Sequence, residues 1–263
     1  MNYSAGMERN SFHANLLEDL LPVARAAGKV IMDIYARPIE VATKADSSPV
    51  TQADEAAEVL ITSALHALTP DIPVVAEEAF AAGKREVPGK RFWLVDPLDG
   101  TREFISRNGE FTVNIALIED GQPVLGVIYA PAIGRLYAGA AGVGSFVEDG
   151  SRRAITCRRP PDEGLTVVSS RSHGDEQELD RFLLGRKVAS RTTAGSSLKL
   201  CLVAAGQADL YPRFGRTMEW DIAAGHAVLA AAGGRVTDLA GKDLRYAKPG
   251  FENPHFVASG RLH

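Results

Sequence analysis

The sequence predicts two joined halves, the first α+β and the second α/β. Three observations predict it. Two stretches of helical periodicity open the chain. Short strand-like runs with turn signals follow as far as Val147, the pattern of an antiparallel sheet. After Arg158-Arg159-Pro160-Pro161, strands and helices alternate. The double proline places the boundary, so residues 1–158 form one half and 159–263 the other. At 263 residues the chain has room for one large domain or two modest ones.

Leu16, Leu20, Val23, Ala27, Val30, Ile31 and Ile34 recur at helical spacing over Leu16–Tyr35. Pro22 places the regular start near itself, because proline fits a first helical turn. Met1–Asn15 is polar, and its opening residues read as disordered, or as an extension upstream of Met7. Lys44–Pro49 is a loop by composition. Thr51–Leu68 reads as a second helix with Val59, Leu60, Ala64 and Leu68 on one face, and Thr51 with Asp54 three residues on resembles a helix-start signature. Ile72–Ala76 and Phe92–Val95 read as strands ending in Glu77-Glu78 and Asp96. Thr112–Ile118 and Val124–Tyr129 are strands joined by a turn at Asp120-Gly121-Gln122-Pro123, and Leu136–Ala140 and Gly144–Val147 continue them.

In the second half, Leu165–Ser169, Lys187–Ser190 and Ala208–Tyr211 read as strands. Asp175–Leu184, Ser197–Ala205 and Trp220–Ala232 read as helices, the last closed by Gly233-Gly234. Val236 and His255–Ala258 read as edge or terminal strands. No internal repeat is present.

Composition narrows the function. The net charge of −4 gives no basic excess for a nucleic-acid polymer. An anionic substrate therefore needs local positive charge or metal. Cys157 and Cys201 are the only cysteines, which is neither a disulfide framework nor a zinc pattern. Cys201 sits in an apolar run and reads as buried. A reducing cytoplasm suits this usage. The N-terminus lacks the apolar region of a signal peptide, and no run is long enough to span a membrane. Loose membrane association and oligomeric state are left open.

Trp93-Leu94-Val95-Asp96-Pro97-Leu98-Asp99-Gly100-Thr101 carries the most chemistry. Two carboxylates flank a Pro-Leu turn at the end of an apolar strand. Pro97 fixes φ, and Gly100 permits backbone geometry that other residues resist. Asp96 and Asp99 converge while the amides beyond them face an anion. A hard divalent cation such as Mg²⁺ is held by one or two carboxylates plus substrate phosphate. Taken alone, Asp-x-x-Asp is an ordinary solvated turn. Glu77-Glu78 alone is a surface pair, and Asp221 alone is an acid at a helix start.

Together the pieces resemble the lithium-sensitive, Mg²⁺-dependent inositol monophosphatase superfamily. They are Pro49-Val50-Thr51-Gln52-Ala53-Asp54, Ala76-Glu77-Glu78, Asp96-Pro97-Leu98-Asp99-Gly100-Thr101, and Trp220-Asp221-Ile222-Ala223-Ala224-Gly225, in the family's order and spanning most of the chain. Arg102-Glu103-Phe104, Asn108–Leu117, Ser196-Ser197-Leu198-Lys199 and Leu210–Gly215 look like its bacterial 3′(2′),5′-bisphosphate nucleotidase branch, the CysQ type. Arg102 stands where many members of that branch have Lys, which keeps the charge.

The resemblance implies a layered αβαβα sandwich of the inositol monophosphatase and fructose-1,6-bisphosphatase type, with the site between the halves. It implies Glu77, Asp96, Asp99, Asp221 and the Leu98 carbonyl as metal ligands, with Asp96 bridging, for about two or three Mg²⁺ ions. Glu78 reads as supporting or structural. Asp54 and Thr101 look like the pair that activates water: Thr101 accepts a hydrogen bond from it while donating to Asp54. The amides of Gly100 and Thr101 receive phosphate oxygens if a helix begins there. Ser197, Lys199, Arg213 and, less directly, Arg216 are the residues for a nucleotide's second phosphate. The structural alternative makes Lys199 a solvated helix residue and Arg213 a surface charge. No Cys or Ser has a base partner in a recognisable pattern, so no phosphoenzyme is expected. The six histidines show no ligand spacing, and His226 reads as packing.

The reading favoured is removal of the 3′-phosphate from adenosine 3′,5′-bisphosphate to give AMP. An inositol or sugar monophosphatase is the alternative, and a nucleotide sensor without turnover the third reading.

Overall fold

The computed structural model describes residues 3–38, 41–43, 49–84, 88–171 and 176–261. Helix α1 spans Tyr3–Tyr35 and contains Pro22 rather than starting at it. Proline removes one backbone hydrogen bond. Leu16, Leu17, Leu20, Leu21, Ala24, Ala27 and Ile31 are all buried, on both sides of the break. That packing carries the helix through. From Tyr3 onward the opening segment belongs to the fold: Arg9 pairs with Glu119, and buried His13 lies 3.5 Å from the same carboxylate. The loop expected at Lys44–Pro49 lies outside the described residues as far as Ser48. Val41–Thr43 (β1) and Pro49–Thr51 (β2) form an antiparallel pair.

Helix α2 (Gln52–Leu68) starts as expected, with Thr51 as its cap. Its buried face is not the expected one. Ala53, Ala57, Ile61 and Leu65 are buried, whereas Val59 is 67% exposed. Asp54 and Glu58 lie on the buried side, and two acids there hide the stripe from an apolar pattern.

Seven strands make the first sheet, in sequence order: β3 (Val74–Ala76), β4 (Arg91–Asp99), β5 (Thr112–Glu119), β6 (Gln122–Ala130), β7 (Arg135–Ala140), β8 (Gly144–Glu148) and β9 (Arg152–Ile155). Only β3 with β4 is parallel. The last strand is not evident from its charged sequence. The β5–β6 hairpin turns on Asp120 (φ 49°) and Gly121 (φ 72°), a two-residue connection with both residues left-handed.

The second sheet has the order β11 (Val188–Ala194), β10 (Leu165–Ser170), β12 (Leu210–Arg213), β14 (Phe256–Ser259), β13 (Arg235–Asp238). The segment expected as an edge or terminal strand at His255–Ala258 is therefore internal. The chain after β13 returns so that β14 fills the gap between β12 and β13. Helix α5 (Glu176–Leu183) begins just after the undescribed Asp175.

Alternation along the strands sorts the core into layers. Trp93 and Val95 of β4 face α1 and α2. Phe92 and Leu94 face the opposite way, into a core shared with helices α6 (Leu198–Ala204) and α7 (Glu219–Ala231). On β10, Val168 joins that central core and Val167 packs outward on Leu179 and Leu183 of α5. The result is the αβαβα sandwich. Helix α7 lies close on the first sheet because Gly126 has no side chain: a Cβ there would stand 2.3 Å from the Ala224 carbonyl oxygen. The central layer thus brings Asp221, from the second half of the chain, against β4.

Candidate active site

Strand β4 carries the first carboxylates. Its pairing with β5 runs to Asp96↔Asn114 and resumes at Asp99↔Thr112, so three steps on β4 match two on β5. Residues three apart on a regular strand face opposite sides. The extra residue at Pro97-Leu98 is a bulge, and it returns Asp99 to the side of Asp96. The carboxylates converge through this bulge rather than through the turn expected from Pro97. Gly100 follows at φ 91°, a left-handed conformation suited to glycine, and α4 (Thr101–Ile105) begins at once.

The other acids arrive at helix starts. Glu77 opens α3 (Glu77–Ala81) directly after β3. Glu58 of α2 accepts hydrogen bonds from the amides of Glu78 (2.7 Å) and Ala79 (2.8 Å), which anchors that start. Asp221 lies in the first turn of α7 and accepts from the Met218 amide at 2.8 Å. Ligand oxygens of Glu77, Asp96 and Asp221 all lie within 4.8 Å of one another. Asp99 is outside this trio but lines one pocket with Glu77 and Asp221.

The charges in this cluster oppose one another. Burial, then Asp99 and Glu77, push the Asp221 carboxyl well above the usual carboxylate range. Burial pushes Asp99 up to about 6, against the pull of Lys199. Crowded, oxygen-only donors, Asp96 buried and Glu77 and Asp221 partly so, fit a hard divalent cation, whose charge removes the repulsion.

Beside the trio, Thr101 Oγ1 donates to Asp54 Oδ1 at 3.1 Å. Asp54 is buried, and its other oxygen accepts from the Thr51 amide (2.8 Å) and hydroxyl (2.7 Å). The Leu98 carbonyl lies 3.4 Å from the Thr101 hydroxyl.

A pocket of about 250 Å³ joins several of these groups to two cations. Glu77, Asp99, Gly100, Thr101 and Asp221 line it together with Lys199 and Arg213. Both cations are buried rather than solvated. Lys199 Nζ donates to the carbonyls of Ala194 (3.2 Å) and Ser196 (2.5 Å). Burial pushes its pKa down to about 8; Asp99 opposes this, and Arg213 adds to it. Arg216 reaches the rim, is 58% exposed and pairs with Glu252. Ser197 lines the pocket, but its buried hydroxyl contacts Asn114 Oδ1 (2.8 Å) and Thr112 (2.9 Å). Among the described residues no histidine lines this pocket, and His173 and His263 lie outside them.

Several supporting residues are not singled out by sequence reasoning. Thr51 reads in sequence only as a helix start. Glu58 carries the signal of an acid in register with Asp54. Asn114, one polar residue in an apolar strand, directs Nδ2 to Asp99 at 3.4 Å. Cys157 and Cys201 are free, buried thiols; the apolar run around Cys201 announces its burial, and nothing in sequence announces that of Cys157. Among the described residues no helix is long and apolar enough to cross a membrane.

Comparison with known proteins agrees with this geometry. The model of the inositol monophosphatase family matches residues 14–262. The 3′(2′),5′-bisphosphate nucleotidase CysQ of Escherichia coli O157:H7 is 52% identical over 249 residues, covering 93% of this chain and 99% of that protein. Its namesake from Salmonella typhimurium is 53% identical, covering 92% and 98%. The crystal structure of CysQ from Bacteroides thetaiotaomicron, a bacterial member of the inositol monophosphatase family, superposes with a TM-score of 0.80 at 37% identity, covering 96% of this chain and 99% of that one.

Proposed function

The chain belongs to the inositol monophosphatase family, and on that premise we propose that it is a Mg²⁺-dependent 3′(2′),5′-bisphosphate nucleotidase that converts adenosine 3′,5′-bisphosphate to AMP and phosphate. One observation carries the reading: Glu77 and Asp221 of the carboxylate trio, Asp99, and the Thr101 that donates to Asp54 line one pocket with two buried cations, Lys199 and Arg213. A monophosphate has no group for those cations to meet, whereas a nucleotide bisphosphate does.

Glu77, Asp96, Asp99, Asp221 and the Leu98 carbonyl are the groups that would hold the ions, with Asp96 shared. Bound there, Mg²⁺ supplies positive charge to the phosphate and makes water a better nucleophile at neutral pH. The protein does the rest. Thr101 orients the attacking water by accepting its hydrogen bond, and Asp54 takes up the proton through that hydroxyl. Thr51 fixes Asp54 in place with two hydrogen bonds. The Gly100 and Thr101 amides hold phosphate oxygens, and Lys199 and Arg213 hold the second phosphate. Phosphoryl transfer asks mainly for such positioning and charge compensation. A cysteinyl phosphate is disfavoured, because neither Cys157 nor Cys201 lines the pocket and burial pushes both thiols upward.

The test is phosphate release from adenosine 3′,5′-bisphosphate and from inositol 1-phosphate, each with Mg²⁺ and with EDTA. The bisphosphate should be preferred and EDTA should abolish release. Preference for inositol 1-phosphate would favour a monophosphatase, and binding without release a sensor.

A further inference from the structure

Lys199, one of the two buried cations, follows a loop from the second half of the chain, Gly195-Ser196-Ser197, between β11 and α6. The Ser196 carbonyl of this loop holds Lys199. Ser196 has φ 42°, a left-handed conformation that costs a non-glycine residue and lasts only where neighbours enforce it. The enforcing groups come from the first half. Thr112 contacts the Ser196 hydroxyl at 3.1 Å. Glu110, between α4 and β5, reaches this loop. Its Oε2 accepts from the Gly195 amide (2.8 Å) and from Arg171 Nε (2.9 Å), and its Oε1 accepts from Arg171 Nη2 (2.8 Å).

This is a two-pronged carboxylate–guanidinium pair with a backbone amide added, and it fixes direction as well as distance. Arg171 follows β10 and holds the Glu110 carboxyl below the usual carboxylate range. Gly195 packs so tightly here that a Cβ would stand 2.8 Å from the Glu110 carbonyl oxygen. Arg171 is 47% exposed, so the pair adds little to global stability. Its consequence is local. Gly195 is tied to the first half, Ser196 is held in its strained turn, and the Lys199 ammonium is set at a fixed distance from the carboxylate side.

We propose that Glu110 is a positioning residue for substrate specificity: clasped to Arg171 and Gly195, it holds the Gly195–Ser197 loop so that Lys199 meets the second phosphate of a nucleotide bisphosphate. This rests on the nucleotidase reading above. Glu110 touches neither the metal ligands nor the Asp54–Thr101 pair, so its effect is on binding of the remote phosphate.

Two measurements on the full-length enzyme test it. Amide hydrogen exchange of the 194–200 segment reads the clasp without reference to activity. Glu110→Ala should speed exchange there at least ten-fold, and Glu110→Gln, which still offers Gly195 an acceptor, should fall between. Steady-state kinetics read specificity. KM for adenosine 3′,5′-bisphosphate should rise about ten-fold in Glu110→Ala, with kcat within about three-fold and the Mg²⁺ half-saturation unchanged. KM for inositol 1-phosphate should stay put, and Arg171→Ala should reproduce the pattern. Unchanged exchange would overturn the clasp. Faster exchange with equal KM changes for both substrates would overturn its role in specificity. Wild-type enzyme that shows no preference for the bisphosphate would instead bring down the nucleotidase reading, and with it the use assigned to the clasp.

Discussion

Thr101 donates its hydroxyl proton to Asp54 across 3.1 Å, although 47 residues separate them in sequence. The two stand at the starts of different helices, α4 and α2. Helix starts expose amides and tolerate acids, so both residues fit their backbones before any chemistry is asked of them. The pair touches the water and not the cation. Thr101→Ala should therefore keep Mg²⁺ affinity, read by calorimetry, and lose about 10²–10⁴-fold in kcat, the usual range for general-base assistance. Near-normal turnover would remove Thr101 from the mechanism.

The carboxylate trio is arranged for function at the expense of stability. With no cation, Glu77, Asp96 and Asp221 repel within 4.8 Å. Asp221→Asn keeps an oxygen for the Met218 amide and removes one charge. In EDTA this variant should melt at a higher temperature than wild type, by a few degrees for about 1 kcal/mol relieved. It should lack phosphatase activity, and Mg²⁺ should raise its melting temperature less than that of wild type. A variant less stable than wild type in EDTA would show that Asp221 gives the fold more through its Met218 contact than it costs through repulsion.

These two sites also show how much of the protein is legible in its sequence. Motifs with fixed spacing are readable, because Asp96, Asp99, Gly100 and Thr101 lie within one turn of chain. Thr112–Ile118 is readable as a strand because it is a short, largely apolar run bounded by a turn signal, and every residue of it is buried. What fails depends on partners distant in sequence. The buried face of α2 escapes an apolar pattern because Asp54 and Glu58 point inward to Thr101 and to the start of α3. Pro22 mimics a helix start, although the helical spacing from Leu16 to Ile31 runs straight across it and their burial carries the helix through. The internal place of β14 depends on β12 and β13 closing around it. Lys199 and Arg213 read equally as surface charges, and only the tertiary fold makes them buried neighbours.

Arg213 ends β12, is buried and lines the same pocket as Glu77, Asp99 and Asp221. Its Nη2 donates to the Arg216 carbonyl at 3.2 Å, which sets the fork's direction. A charge-assisted contact to phosphate is worth about 1.5–3 kcal/mol. Arg213→Ala should lower kcat/KM for adenosine 3′,5′-bisphosphate by roughly ten- to 150-fold on that scale. Hydrolysis of inositol 1-phosphate should change far less, since no second phosphate is present. Equal losses for the two substrates would mean that Arg213 supports the fold and reads no phosphate.

His226 provides a pH test away from the chemistry. It is buried on α7, and its Nδ1 lies 3.0 Å from the Tyr246 hydroxyl. Burial pushes its pKa from 6.5 down to about 4, with Lys248 adding to the shift and Asp243 opposing it. Between those two values the unfolded chain binds a proton that the folded chain refuses. Folding stability therefore rises with pH through this window and is lost as pH falls from about 6.5 toward 4. At about 1.4 kcal/mol per unit, this one residue accounts for up to about 3 kcal/mol. His226→Asn keeps a polar partner for Tyr246 and carries no titrating ring. Lost packing should lower its stability at pH 7, but urea midpoints measured from pH 7 to pH 4.5 should fall less steeply than those of wild type. Parallel slopes would show that acid sensitivity in this range comes from other groups.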